Sequence, residues 1–262
     1  MAPMITSAAN PRYKLARALL TRRGRQKHHR LLLEGPRLIE DSISAGFPPA
    51  LVLFAEEAAS VLAPVLAMAA AAGAEVLSLK GELWAELCQT TTPQGVVAVA
   101  PWPEIAPGQE GWSLIVDGVQ DPGNLGTLLR SAAAAGLDQV ILLPGVTDPW
   151  APKVLRAGMG AHFRVAIRMA RDLAQVEAWI GPAQRLLATA AAPTLYTEVD
   201  WTQPSALVIG SEAEGPRLTA SWSGLRAIAI PMARGMESLN AAVAGSIILF
   251  EAQRQRRARF SS

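Results

Sequence analysis

The feature that most constrains this fold is a series of short segments that are apolar throughout, each followed by a stretch that reads as helix. Between Trp112 and Met232 they run SLIVDG, QVILLP, FRVAI, RLLATA, ALVIG and RAIAIPM. A strand that is apolar on both faces has to be covered on both, and intervening helices supply the cover. The pattern therefore predicts a parallel α/β sheet. Helices are expected at LGTLLRSAAAAG, PKVLRAGMG and DLAQVEAWI, with a long last one from about Ser238 to Arg257.

The preceding residues alternate in the same way on a smaller scale. A first helix is expected from Pro11 to about Arg22, with Tyr13, Ala16, Leu19 and Leu20 on one face. RLLLEG reads as a strand, and PRLIEDSISAG as a helix opened by Pro36 and closed by Gly46. Then come the strand LVLFAE, an alanine-rich helix, the strand EVLSL, a helix over ELWAELC and the strand GVVAVA. PWPEIAPGQEG, at 101–111, packs three prolines and two glycines into a linker. We expect a small α/β domain over residues 1–105 and a larger one over 106–262.

Half of the 262 residues are hydrophobic, enough for sizeable cores and against global disorder. Cys88 is the one cysteine, which excludes an internal disulfide or a thiolate metal cluster. His28, His29 and His162 are too scattered for a zinc site, so no metal is expected. The uncharged stretch Ala58 to Ala74 is mostly alanine, contains Pro64 and sits between Glu57 and Glu75, which argues for a helix in water and against a membrane span. The N-terminus lacks a secretory apolar region, and although arginine-rich like some transit peptides it has little serine; the expected setting is cytoplasmic.

Net charge is only +2, but residues 1–37 hold nine of the 24 Lys and Arg and a single acid, Glu34. A second basic cluster closes the chain at Arg254, Arg256, Arg257 and Arg259. Basic segments at both ends fit either a polyanionic partner, with Arg22, Arg23, Arg25 and Lys27 touching phosphates, or merely solvated ends.

Ligands of a doubly wound sheet bind at the carboxyl ends of its strands, so those loops come first. They hold no G-x-G-x-x-G, P-loop, G-x-S-x-G or H-E-x-x-H. Three have unusual polar content. The first, after SLIVDG, reads VQDPGNLGTLLRSAAAAG: Asp121-Pro122-Gly123 is a turn, Asn124 is expected to cap a helix beginning at Leu125, and Arg130 lies on that helix among small apolar residues. That setting suggests a charge directed at a ligand rather than at water. The second is GSEAEG, and the third runs IPMARGMESLNAAVAGSIILF, with Ser238 as the expected N-cap and Asn240 in the first turn of an apolar helix. Taken singly, each is also an ordinary capped turn.

Taken together, their order, spacing and flanking strands resemble the three motifs of the SpoU, or TrmH, family of RNA 2′-O-ribose methyltransferases of the SPOUT superfamily. The motif D-P-x-N-x-G-x-x-x-R is matched by Asp121, Pro122, Asn124, Gly126 and Arg130; G-x-E-x-x-G by Gly210, Glu212 and Gly215; and the third from Ile230 to Asn240. NPRYKLARALLTRRGRQ and LLLEGPRLIEDSISAG look like the family's N-terminal RNA-binding domain. The resemblance implies a parallel-sheet domain whose last segments form a deep trefoil knot, preceded by that RNA-binding domain. It implies S-adenosylmethionine as cofactor, bound by Gly210, Ile230 and Leu239 with Thr189 nearby. It places Arg130 at the catalytic position, with Asn124, Glu212, Ser238 and Asn240 orienting the ribose and the arginine, in a homodimer acting on RNA. A guanidinium is a poor proton acceptor, which favours Arg130 as a phosphate clamp over Arg130 as a base. Ribosomal RNA is the expected substrate, with transfer RNA and non-catalytic RNA binding as alternatives.

Overall fold

The computed structural model describes residues 3–88, 93–211 and 215–259. They form two compact units: Met1–Glu104 with Asp148–Phe163, and Ile105–Thr147 with Arg164–Ser262.

The first unit is built on a five-stranded sheet in the order β1 (Met4–Ile5), β4 (Glu75–Leu79), β3 (Leu51–Ala55), β5 (Val96–Pro101), β2 (Arg30–Glu34). β5 runs antiparallel to both of its neighbours, while β1 and β3 flank β4 in parallel. Five helices accompany it: α1 (Pro11–Ala18), α2 (Arg22–His28), α3 (Pro36–Ser44), α4 (Ala59–Ala71) and α5 (Gly81–Leu87). The sheet's apolar face closes over Tyr13, Ala16 and Leu19 of the α1 region, all fully buried.

Two expectations for this unit need correction. The single helix expected from Pro11 to Arg22 is two helices, because the Thr21 hydroxyl accepts from Gly24 N at 3.1 Å and starts α2 afresh. Gly24 is required there, since a Cβ would overlap the Ala18 carbonyl. Nor is Arg25 a phosphate contact. It is 3% exposed, donates to the carbonyls of Leu19 (2.8 Å) and Leu20 (3.0 Å), and pairs with Asp148. Arg22, Arg23 and Lys27, on the same helix, are exposed.

The second unit is a six-stranded sheet in the order β11 (Leu225–Ala229), β9 (Gln184–Thr189), β10 (Ser205–Gly210), β6 (Trp112–Asp117), β7 (Gln139–Leu142), β8 (Ala166–Met169), with every pairing parallel. FRVAI is only half strand: Phe163 ends a 3-10 turn and β8 begins at Ala166. All of β6 is buried, as its unbroken apolar pattern requires. Covering helices are α6 (Pro122–Ala135), α8 (Leu173–Ile180) and α9 (Ala241–Arg259). α6 and α9 pack closely because Gly245 has no side chain; a Cβ there would lie 2.6 Å from Leu128 Cδ2 and 3.4 Å from Ile209 Cγ1. The C-terminal basic cluster is partly spent inside this unit. Arg256 stacks 4.6 Å from the Trp112 ring centre and donates to the Trp201 carbonyl at 2.8 Å, while Arg254 pairs with Glu251.

Between β7 and β8 the chain makes an excursion, Asp148–Phe163, that belongs by its contacts to the first unit, so a single boundary at 105 does not describe the molecule. The excursion carries α7 (Pro152–Gly158) and is fixed by three contacts: Arg25 on Asp148, Arg156 Nη1 on Glu34 Oε2 at 2.7 Å, and Trp150 packed 4.7 Å from Trp102. No run of residues signals this, because its partners lie far away in sequence, 123 positions for Arg25 and Asp148 and 122 for Arg156 and Glu34.

His162 closes the excursion and is almost fully buried. Its Nε2 lies 2.8 Å from the Pro149 carbonyl, which can only accept, so the proton sits on Nε2; Nδ1 is left without a partner. Burial pushes its pKa down from 6.5 to about 4. Above pH ~6.5 both folded and unfolded chains carry a neutral imidazole, and stability is at its full value. Below it the unfolded chain takes up a proton that the folded one refuses, and stability falls until the pH nears 4. Urea titrations of the first unit's unfolding should show a loss of about 3 kcal/mol across that window. In His162→Gln the histidine-dependent part of that slope should vanish.

Candidate active site

Strand order reverses between β6 and β10: from β6 the chain moves outward through β7 and β8, then returns on the other side. The two strands end level, with Asp117 opposite Gly210, so the loops that follow them emerge side by side. Next to them end β9 at Thr189 and β11 at Ala229. A cavity of about 260 Å³ opens over these ends, bordered by Thr189, Gly210, Ile230, Ser238 and Leu239, and floored by Ile209, Ala244 and Ile248. Four residues expected to hold a cofactor are thus gathered from three strand ends and the segment before α9.

The polar residues fall into place with two changes of role. α6 begins three residues earlier than expected, at Pro122, and its cap is Asp121, whose carboxylate accepts from Asn124 N at 2.7 Å. Asn124, relieved of capping, uses its Oδ1 to accept from Asn240 Nδ2 at 2.9 Å. Asn240, not Ser238, caps α9: its Oδ1 accepts from Ala242 N at 3.0 Å and Val243 N at 3.2 Å. One side chain therefore starts one helix and holds the start of another. Ser238 is exposed at the rim of the cavity.

Arg130 does not border the cavity, and the charge expected to face a ligand rather than water is exposed in this chain. The reason is helical periodicity: Leu125, Leu128, Leu129 and Ala132 turn inward, while Arg130 shares an outward stripe with Gly123, Thr127 and Ala134. Glu212 lies outside the described residues. Gly210 has a structural reason beyond ligand access, since a Cβ would lie 2.6 Å from Pro216 N and 2.8 Å from Gly215 C.

Asp117, which the sequence marks only as the end of a strand, organises the loop. Its fully buried Oδ2 accepts from Leu218 N (2.8 Å), Thr219 N (2.9 Å) and Thr219 Oγ1 (2.9 Å). Burying a carboxylate costs several kcal/mol. Three charge-assisted bonds at about 1.5–3 kcal/mol each offset that cost. The signal available in the sequence was an acid closing a wholly apolar strand. Elsewhere, burial and then Glu34 push the Cys88 thiol up to about 12, so it is no nucleophile at neutral pH. Among the described residues no three His, Cys, Asp or Glu cluster as metal ligands, and no helix is long and apolar enough to cross a membrane.

The SpoU rRNA Methylase family model matches residues 111–250, more than half of the chain. The chain belongs to the SpoU rRNA methylase family. An MRM3-like substrate binding domain matches residues 10–98. Among relatives of this SpoU chain, the 23S rRNA guanosine 2′-O-methyltransferase RlmP of Bacillus subtilis is 30% identical, with 94% of this chain and 97% of the relative covered. Human mitochondrial rRNA methyltransferase 3 is 33% identical, covering 90% and 70%. The structure of an AdoMet-bound rRNA methyltransferase from Sinorhizobium meliloti superposes with a TM-score of 0.80 at 30% identity, covering 97% and 98%.

The doubled role of Asn240 has a measurable consequence. Asn240→Ala removes the α9 cap and the bond to Asn124, and should lower stability by about 1–2 kcal/mol in denaturant titrations. Asn124→Ala removes only the second and should cost less. Equal losses would mean that the link between the helix starts, not the cap, carries the energy.

Proposed function

We propose that this chain transfers the methyl group of S-adenosylmethionine to a ribose 2′-hydroxyl of ribosomal RNA. The observation that carries the reading is the cavity at the ends of β9, β10 and β11, where residues of the second and third family motifs meet at the sheet's switch point. Its lining fits the cofactor: Ile209, Ile230 and Leu239 offer apolar contact for an adenine, while Gly210 lets backbone, rather than a side chain, border the space. Thr189, Gly210, Ile230 and Leu239 would hold it there. When bound, it supplies a methyl group on a sulfonium, whose departure as a neutral thioether leaves the protein mainly alignment and one proton to manage.

Asn124 and Asn240 hold each other at the start of α6 and α9. With Ser238 at the rim and Glu212, they orient the ribose. Arg130 grips the neighbouring phosphate with its planar fork. Because Arg130 is exposed and does not border its own chain's cavity, the reading includes a homodimer in which the active site is completed across the interface. Support comes from α9, where Val243 and Phe250 are each 46% exposed and lie with Ile247 on one face at i, i+4 and i+7. It also includes a trefoil knot: β11 lies at the sheet edge, α9 packs on α6 and β10 near the middle, and the 230–240 segment has to cross the strand ends between them. A small RNA-binding domain over residues 1–105, to which the excursion at 148–163 adds itself, a methyltransferase domain over the rest of 106–262 and a cytoplasmic setting complete the reading.

Two experiments test it. Arg130→Ala should cut methyl transfer to RNA from cells lacking the gene by at least about 10²-fold, with S-adenosylmethionine affinity unchanged. Arg130→Lys should keep partial activity if the residue clamps phosphate. A pH–rate profile displaced to lower pH in the lysine variant would instead reveal a proton acceptor. Separately, replacing Arg22, Arg23 and Lys27 together by alanine should flatten the salt dependence of RNA binding by about 0.7–0.9 in log–log slope per lost phosphate contact. Cofactor binding should not change, and an unaltered slope would remove α2 from the RNA surface.

A further inference from the structure

The first unit contains a cavity of its own, about 290 Å³, bordered by Glu34, Arg37, Leu38, Asp41, Arg156 and Met159. It is assembled from the end of β2, the start of α3, Gln94 just before β5 and the C-terminal end of α7. Arg156 and Met159 belong to the excursion, outside residues 10–98 that match the substrate binding domain.

Its charges are matched. Glu34, with a side chain 7% exposed, takes the Arg156 guanidinium at 2.7 Å, and Asp41, 8% exposed, takes Arg37 at 3.5 Å. Two acids beside two arginines leave no net field for a phosphate. They do leave donors and acceptors side by side, because a carboxylate has lone pairs for several partners and a guanidinium five N–H groups. Leu38 adds a buried apolar wall. The size is at the small end of ligand pockets and suits a single heterocycle.

Met159 supplies a second, independent observation. It caps α7 in the left-handed region at φ 44°, where glycine is the usual residue, and Gly160 follows at φ 78°. Despite the strain, the position holds a large side chain that is 47% exposed at the cavity's edge. Strain kept for an exposed thioether is explained by what it touches, and thioethers make favourable contacts with aromatic rings.

We propose that this cavity receives one unstacked nucleobase of the RNA substrate, read along its edge by Glu34 and Arg156 and covered by Met159. Sequence-specific proteins take RNA in this way, by splaying out bases of loops and bulges. The proposal rests on RNA being the substrate.

Met159→Gly separates the alternatives, because glycine relieves the backbone while deleting the cover. The melting temperature should stay the same or rise, S-adenosylmethionine affinity should be unchanged, and KM for RNA from cells lacking the gene should rise about tenfold, as for loss of a stacked base. A variant with the wild-type KM for RNA overturns the pocket while leaving methyl transfer by the wild-type protein intact. Should Met159→Gly fail to fold, the wild-type protein decides. With methyl-labelled methionine, titration with nucleoside 5′-monophosphates should move the Met159 methyl resonance upfield and leave that of exposed Met68 in place. No displacement at Met159 overturns the proposal.

Discussion

In the second unit β6 and β10 pair in parallel from Trp112 opposite Ser205 to Asp117 opposite Gly210, and β6 is buried along its whole length. Neither strand can shift against the other without taking Leu114, Ile115, Val116, Leu207 and Val208 out of their places in the core. Each such side chain contributes about 1.5–3 kcal/mol by its burial. The pairing therefore fixes where both strands stop. Because they stop level, the loop carrying Asn124 and the loop beginning at Gly210 have to start side by side. Asp117 then draws the far end of the Gly210 loop back onto its own strand end through Leu218 and Thr219.

Most of this framework was legible because it is written in local pattern. Wholly apolar runs gave five strands of the larger sheet nearly in full and the sixth in part, and proline and glycine punctuation marked the break near Glu104. What escaped were features set by partners distant in sequence. The split of the first helix depends on Gly24 fitting against Ala18, and the excursion depends on Asp148, Trp150 and Arg156 reaching residues of the first unit. The helix starts were misjudged by a few residues for a physical reason. Asp121, Asn124, Ser238 and Asn240 are all competent caps, and only the fold decides which side-chain oxygen faces which amide.

Charge was the least reliable guide to function. Arg25 and Arg256 belong to the two terminal clusters that suggested a polyanion, yet both are held by carbonyls, a ring or an acid within their own units. Arg12 and Arg17 pair with Glu75 and Glu86. Counting basic residues overstates the surface available to phosphate; exposed cations such as those of α2, Lys14 and Arg30 are what the argument keeps.

The position of Arg130 follows from the same packing that builds the cavity. α6 must turn Leu125, Leu128 and Leu129 inward to meet the sheet and α9, and Gly245 allows that approach to be close. A residue at position 130 of such a helix is then carried to the outer face, whatever its chemistry. α9 carries Val243 and Phe250 in the open, where burial against a second surface would be favourable. The proposed homodimer would use both features, since a second copy covering the α9 stripe would also meet an exposed Arg130. Under the proposed function Arg130 would act on RNA bound at the partner's cavity, and dimerisation would be a condition of catalysis rather than an addition to it.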